Sequence, residues 1–105
     1  MVRIKNPKSK GSRFERIVKK LLQADDTEII RSPASLGSAD LILIRKTGTP
    51  GVSRVQLIQC KYLKKYMSAS ESIRLIDDAY RIGATAWLAY REKPRGKIMI
   101  IQLSH

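Results

Sequence analysis

The chain is poor in several residue types, and each shortage excludes something. Its 105 residues contain one cysteine, one histidine and only nine acidic side chains. A lone Cys60 forms no internal disulfide, which fits a reducing, cytoplasmic setting. One histidine and one cysteine do not make a zinc site of ordinary composition. The longest apolar runs, Leu41 to Ile44 and Ile98 to Ile101, have strand length. They fall far short of the roughly 20 residues that cross a bilayer. No apolar run follows the basic N-terminus, so nothing there reads as a secretory signal. A chain of this size holds one hydrophobic core and leaves no room for a second.

What the chain has in excess is positive charge. Twenty-one Lys and Arg face nine Asp and Glu, for a formal net charge of +12. A compact domain with that surplus repels itself unless a polyanion offsets it, and nucleic acid is the commonest such partner. A membrane surface is disfavoured, because no helical stretch combines a basic polar face with an apolar rim.

Residues 1–11 read as a basic arm, with Arg3, Lys5, Lys8 and Lys10 beside Pro7 and Gly11 and no apolar period. A helix is expected from Ser12, since Phe14, Ile17, Val18, Leu21 and Leu22 recur at three-and-four spacing. Ser12 and Glu15 have the spacing of a capping box. Strands are expected over Thr27 to Arg31, from Asp40 through Ile44, and over Arg54 to Tyr62. The turn from Lys46 to Ser53, with Gly48, Pro50 and Gly51, joins the last two as a hairpin. Ser68 and Glu71 open a second helix that runs to Ile82, where Gly83 stops it. Two more strands, Thr85 to Tyr90 and Lys97 to Leu103, complete the order α-β-β-β-α-β-β. This is an α/β arrangement, with a mixed sheet of about five strands flanked by helices.

The hairpin brings chemistry together. Side chains alternate along a strand, so Val55, Leu57, Gln59 and Lys61 share one face and the apolar row ends in two polar groups. Asp40 starts the antiparallel partner strand, so it falls near the end of this one. Asp40, Gln59 and Lys61 therefore meet at one end of the sheet. Glu15 is the best candidate for a further carboxylate, since it borders the apolar face of the first helix. Carboxylate and carboxamide oxygens suit a divalent cation, and a lysine beside them can orient water and stabilise charge on a phosphate. Cys60 faces the opposite way and reads as a small buried apolar residue.

Asp40 with Gln59-Cys60-Lys61 resembles the motif of the PD-(D/E)xK nucleases. Gly11-Ser12-Arg13-Phe14-Glu15-Arg16, then Arg31-Ser32-Pro33-Ala34-Ser35, Asp40-Leu41 and the late stretch from Ile82 to Arg91 resemble archaeal-type Holliday junction resolvases. The resemblance covers nearly the whole chain. It implies a restriction-endonuclease-like fold, with residues 12–105 as a single nuclease domain. It also implies a homodimeric, Mg²⁺-dependent endonuclease, with Mn²⁺ able to substitute, that nicks four-way DNA junctions in pairs and leaves 5′-phosphate and 3′-hydroxyl ends. Glu15, Asp40 and Gln59 become metal ligands, Lys61 a catalytic residue, and Ser35 a serine near the scissile phosphate. Ser32 and Ser38 compete with Ser35 for that place. The family's usual acid stands as Gln59 here, giving the metal one negative charge less.

Each residue taken singly has an ordinary use: Glu15 in a helix cap, Asp40 at a strand start, Gln59 and Lys61 on an exposed strand face. Their convergence is what these uses leave unexplained. Arg3, Lys5, Lys8, Lys10, Arg13, Arg31, Arg91, Lys93 and Arg95 are the candidates for phosphate contacts. Tyr62 and Tyr66, flanking Lys64 and Lys65, fit a stretch that lines DNA and equally a solvated loop. The apolar band Ile73, Leu75, Ile76, Ala79, Tyr80 and Ile82 is wider than one buried stripe needs, which points to a homodimer through the second helix and a neighbouring strand. Two alternatives stay open. One is another PD-(D/E)xK nuclease of restriction, nicking or repair type; the other is a catalytically silent DNA-binding protein. The chain stops after its last strand, without the C-terminal extension of many relatives. A viral or phage source is as consistent with such a short chain as an archaeal one.

Overall fold

The computed structural model describes residues 7–32, 38–64 and 67–103, with backbone only over residues 7–12. Two helices and five strands follow in the expected order. They are α1 (Pro7–Leu22), β1 (Thr27–Arg31), β2 (Leu41–Lys46), β3 (Ser53–Tyr62), α2 (Ala69–Arg81), β4 (Thr85–Arg91) and β5 (Met99–Gln102). The strands form one sheet in the order β1-β2-β3-β4-β5. All pairs are antiparallel except β3 with β4, where α2 supplies the crossover that a parallel pair requires. Among the described residues, no helix is long and apolar enough to cross a membrane.

The sheet is covered on both faces, which explains why β2 is apolar without alternation. Leu41 and Leu43 point to one side and pack with Phe14 and Val18 of α1, Ile29, Ile58 and Ala89. Ile42 points to the other and packs with Leu57, Leu75 and Ala79 of α2, Ala39 and Ala86. Phe14 is 1% exposed, and truncating a phenylalanine so enclosed costs about 3–5 kcal/mol.

Helix α1 departs from expectation in two ways. It begins at Pro7, five residues before Ser12. Proline suits the first helical position, where its missing N–H has no partner to lose. Ser12 therefore lies inside the helix and cannot serve as its N-cap. The buried stripe is also narrower than the sequence period suggests. Ile17 is 37% exposed and Leu21 57%, because only the Phe14–Val18–Leu22 row meets the sheet. Helix α2 starts as expected: the Ser68 hydroxyl accepts from the Glu71 N–H, and the Glu71 carboxylate accepts from the Ser68 N–H. Gly83 ends the turn after it in the left-handed region, at φ 71°, which a side chain rarely adopts.

Candidate functional site

Asp40 is held where three strands converge. Its own N–H donates to the Ile58 carbonyl at 2.8 Å, and its carbonyl accepts from the Ser32 N–H at 2.9 Å. Its carboxylate Oδ2 accepts the Cys60 N–H at 2.7 Å. These bonds fix the carboxyl at the ladder end, since the last β2–β3 pair is Leu41 with Ile58. Gln59 and Lys61 follow on β3, both half-buried. Glu15 reaches the same place from α1, with its side chain 16% exposed, and its carboxyl stands beside that of Asp40.

Two carboxyls this close, with one of them buried, disfavour full ionisation. Burial raises the Asp40 carboxyl from 3.8 to about 6; the Cys60 N–H opposes the rise, Glu15 adds to it and Lys61 opposes it. Cys60 lies on the other side of the sheet among the residues packed by α1. Burial pushes its thiol well above the ordinary range, with Asp40 and Glu15 adding to the shift. A thiol in that state is no nucleophile.

Lys61 is gripped by a residue the sequence presented only as a cap. Its Nζ donates to Glu71 Oε2 at 2.5 Å, while the other oxygen of the same carboxylate accepts the Ser68 N–H at 3.1 Å. The hydrogen bond from Lys61, and after it the one from Ser68, hold the Glu71 carboxyl below its usual range. The available signal was a topological one. Lys61 lies next to the end of β3 on the face that α2 covers, and the first turn of α2 follows within ten residues.

Around this cluster the cations are of several kinds. Arg31 Nη2 pairs with Glu15 Oε2 at 2.8 Å. A hollow of about 210 Å³ beside it is lined by Glu15, Arg16, Lys19, Arg31 and Leu41. Arg16 and Lys19 were not among the sequence candidates, although Lys19 lies one helical turn from Glu15. Arg13, Lys93 and Arg95 are exposed. Arg91 is more engaged: its guanidinium stands 5.9 Å from the Phe14 ring centre and donates to the Pro94 carbonyl at 3.4 Å. Tyr62 packs its ring on Phe14, centroids 5.7 Å apart. Ser35, Tyr66 and Lys65, with the side chains of Arg3, Lys5, Lys8 and Lys10, lie outside the described residues. Ser38 is occupied elsewhere, its hydroxyl donating to Asp78 of α2. A larger hollow of about 520 Å³ runs along α2 past Ile73, Asp77 and Arg81, and does not touch the Asp40 cluster.

Among the described residues, no three Asp, Glu, His or Cys side chains are grouped to hold a metal ion. Glu15 and Asp40 supply two carboxylates, and the third donor on the sheet is the Gln59 carboxamide. The two acids fit a divalent cation: burial, with Glu15 adding to it, drives Asp40 towards its neutral form, and a cation there would relieve it. Oxygen donors of this kind suit Mg²⁺ or Mn²⁺.

A five-stranded mixed sheet with one helix on each face, in this order of elements, defines the restriction-endonuclease-like class of α/β folds. The model of one family, described as archaeal Holliday junction resolvase (Hjc), matches residues 6–104. The chain belongs to that family, and so to the nucleases of DNA recombination and repair. Its structure is similar to that of Hjc from Archaeoglobus fulgidus, a Holliday junction resolvase from an archaeal hyperthermophile. The TM-score is 0.68 at 27% identity, covering 90% of this chain and 73% of that one. No curated protein matches the chain by sequence.

Proposed function

We propose that this protein cuts four-way DNA junctions by metal-dependent paired nicking, leaving 5′-phosphate and 3′-hydroxyl ends. The observation that carries the reading is the meeting of Glu15 and Asp40 beside Gln59 and Lys61 at one end of the sheet. Glu15, Asp40 and Gln59 would hold Mg²⁺, or Mn²⁺ in its place. Bound there, the ion supplies Lewis-acid charge towards the phosphate and acidifies water. Lys61 orients the attacking water and offsets charge as the phosphodiester bond breaks. Ser35 contributes near the phosphate, and Ser38 does not, since Asp78 takes its hydroxyl. The basic side chains of α1, Arg31, Lys93, Arg95 and the N-terminal segment contact the backbone and read shape rather than sequence. The low cysteine count favours the cytoplasm.

The acting unit is a homodimer. The apolar band of α2 divides in the fold: Leu75 and Ala79 enter the core, whereas Ile73 and Tyr80 are 60% and 86% exposed. Met99 and Ile101 of the edge strand β5 are exposed too, on the sheet face that α2 covers. A two-fold pairing through these groups places two sites on opposed strands of a junction. Sedimentation should give a dimer at micromolar concentration; a monomer would remove this element.

A supercoiled plasmid carrying an extruded cruciform tests the whole reading. Two nicks within one encounter convert it directly to linear DNA, and independent nicks yield open circles first. Linear product dependent on Mg²⁺ is the expected result. Intact plasmid in both Mg²⁺ and Mn²⁺ would leave a silent DNA-binding protein. Equal cutting of a plasmid lacking the cruciform would leave a nuclease of another type.

A further inference from the structure

We infer that Glu71 is the positioning residue of Lys61, supplying from α2 the negative charge that Gln59 does not supply from β3. The inference rests on the nuclease reading for what Lys61 does, and on geometry for how Lys61 is held.

The Glu71 carboxylate uses its two oxygens for different tasks. Oε1 accepts the Ser68 N–H at 3.1 Å and closes the capping box of α2. Oε2 accepts the Lys61 ammonium at 2.5 Å. The first bond ties the side chain to a helix end, so the second is made from an anchored post. Lys61 is only 17% exposed at this point, whereas Glu71 is 39% exposed. The lysine is therefore the enclosed partner, and the glutamate reaches in from the rim.

Two electrostatic facts make this pairing more than a surface ion pair. Gln59, two residues before Lys61 on the same strand face, is neutral. An acid there would attract the ammonium from within the strand. Second, the ammonium lies at the N-terminal end of α2, where the helix dipole repels a cation. Glu71 in the first turn reverses that local field. Without its charge, Lys61 faces a positive helix end and the carboxyl of Asp40, and the pull is towards that acid.

The chain path builds the arrangement. Leu63 takes a left-handed conformation, φ 60°, and its N–H donates to the Arg91 carbonyl at 2.7 Å. A bulky residue rarely accepts that region, so the turn directly after β3 is held in place by its neighbours. It turns the chain out of the sheet two residues beyond Lys61, and α2 begins at Ala69 with Glu71 above the lysine.

The test uses the full chain and three variants. Glu71→Gln keeps a side chain that can complete a capping box but removes its charge. Ser68→Ala weakens the cap and leaves the Lys61 pair. Glu71→Asp keeps the charge one methylene short. Single-turnover junction cleavage should slow by about tenfold to a hundredfold in Glu71→Gln, the scale of a misplaced catalytic group. Its junction Kd should stay at the wild-type value, and its melting midpoint should fall by a few degrees at most with the lost ion pair. Ser68→Ala should lower the midpoint and leave the cleavage rate, and Glu71→Asp should recover part of the rate. Nitrogen-15 NMR of the lysine ammonium groups gives a readout that needs no cleavage. The wild type should show a slowly exchanging Lys61 signal that Glu71→Gln abolishes. Wild-type cleavage in Glu71→Gln, or an unchanged Lys61 signal, overturns the inference. If the wild type itself cuts no junction, the nuclease reading fails. The NMR comparison then still decides whether Glu71 holds Lys61.

Discussion

The Asp40 carboxylate accepts the backbone N–H of Cys60 at 2.7 Å, a bond between the residue that leads into one hairpin arm and the interior of the other. One contact thereby fixes an acid against the residue that separates Gln59 from Lys61. The acid is costly to keep there, because burial and Glu15 drive its carboxyl up to about 6. The cost has a measurable signature.

A group whose folded-state pKa is raised stabilises the fold only when protonated. For Asp40 that contribution is complete below about 3.8 and is lost as pH rises through about 6. At pH 7.5 the charged carboxylate therefore works against the fold, by up to about 3 kcal/mol. Asp40→Asn keeps an acceptor for Cys60 and gains a donor towards Glu15. Its melting midpoint at pH 7.5, without metal, should exceed that of the wild type, by about 4–8 °C for each kcal/mol relieved. The difference should shrink at pH 4. A lower midpoint for the variant at pH 7.5 would mean that the carboxylate is not strained.

Metal should relieve the same strain. Millimolar Mn²⁺ should raise the wild-type midpoint, and Asp40→Ala should remove the response. Gln59→Glu adds a charged donor to the set, so it should bind Mn²⁺ about tenfold or more tightly by calorimetry. An unchanged affinity would place residue 59 outside the ligand set.

Junction affinity should fall steeply with salt, since each neutralised phosphate contributes to the slope of log K against log [salt]. Replacing Arg16 and Lys19 by alanine should reduce that slope by about two if both contact phosphates beside Glu15. A slope that does not change would assign the hollow next to Glu15 no role in binding.

Cys60 should react with a thiol reagent only as the protein unfolds. Its thiol is raised by burial and it packs with the residues under α1. Rapid labelling of the native chain would contradict that placement.

Much of the arrangement was legible because it depends on period and spacing. The unalternating Leu41–Ile44 run gave a doubly covered strand, and the hairpin alone put Asp40 beside Gln59 and Lys61. The start of α1 was not legible. A proline at the first helical position looks, in sequence, like an ordinary break, and a capping-box spacing from Ser12 supplied a plausible false start. Nor was the second use of Glu71 legible. Its cap is encoded by the local spacing with Ser68, but its pairing with Lys61 depends on how the left-handed turn at Leu63 aims α2. Local signals are carried by neighbours in sequence, and this one is carried by the return of the chain.

Cleavage of a labelled four-way junction and its matching linear duplex, with Mg²⁺, by wild type and Asp40→Ala tests the central claim most directly. The account predicts paired symmetric nicks in the junction alone, absent in the variant. Tight junction binding without cutting in Mg²⁺ or Mn²⁺ would contradict it.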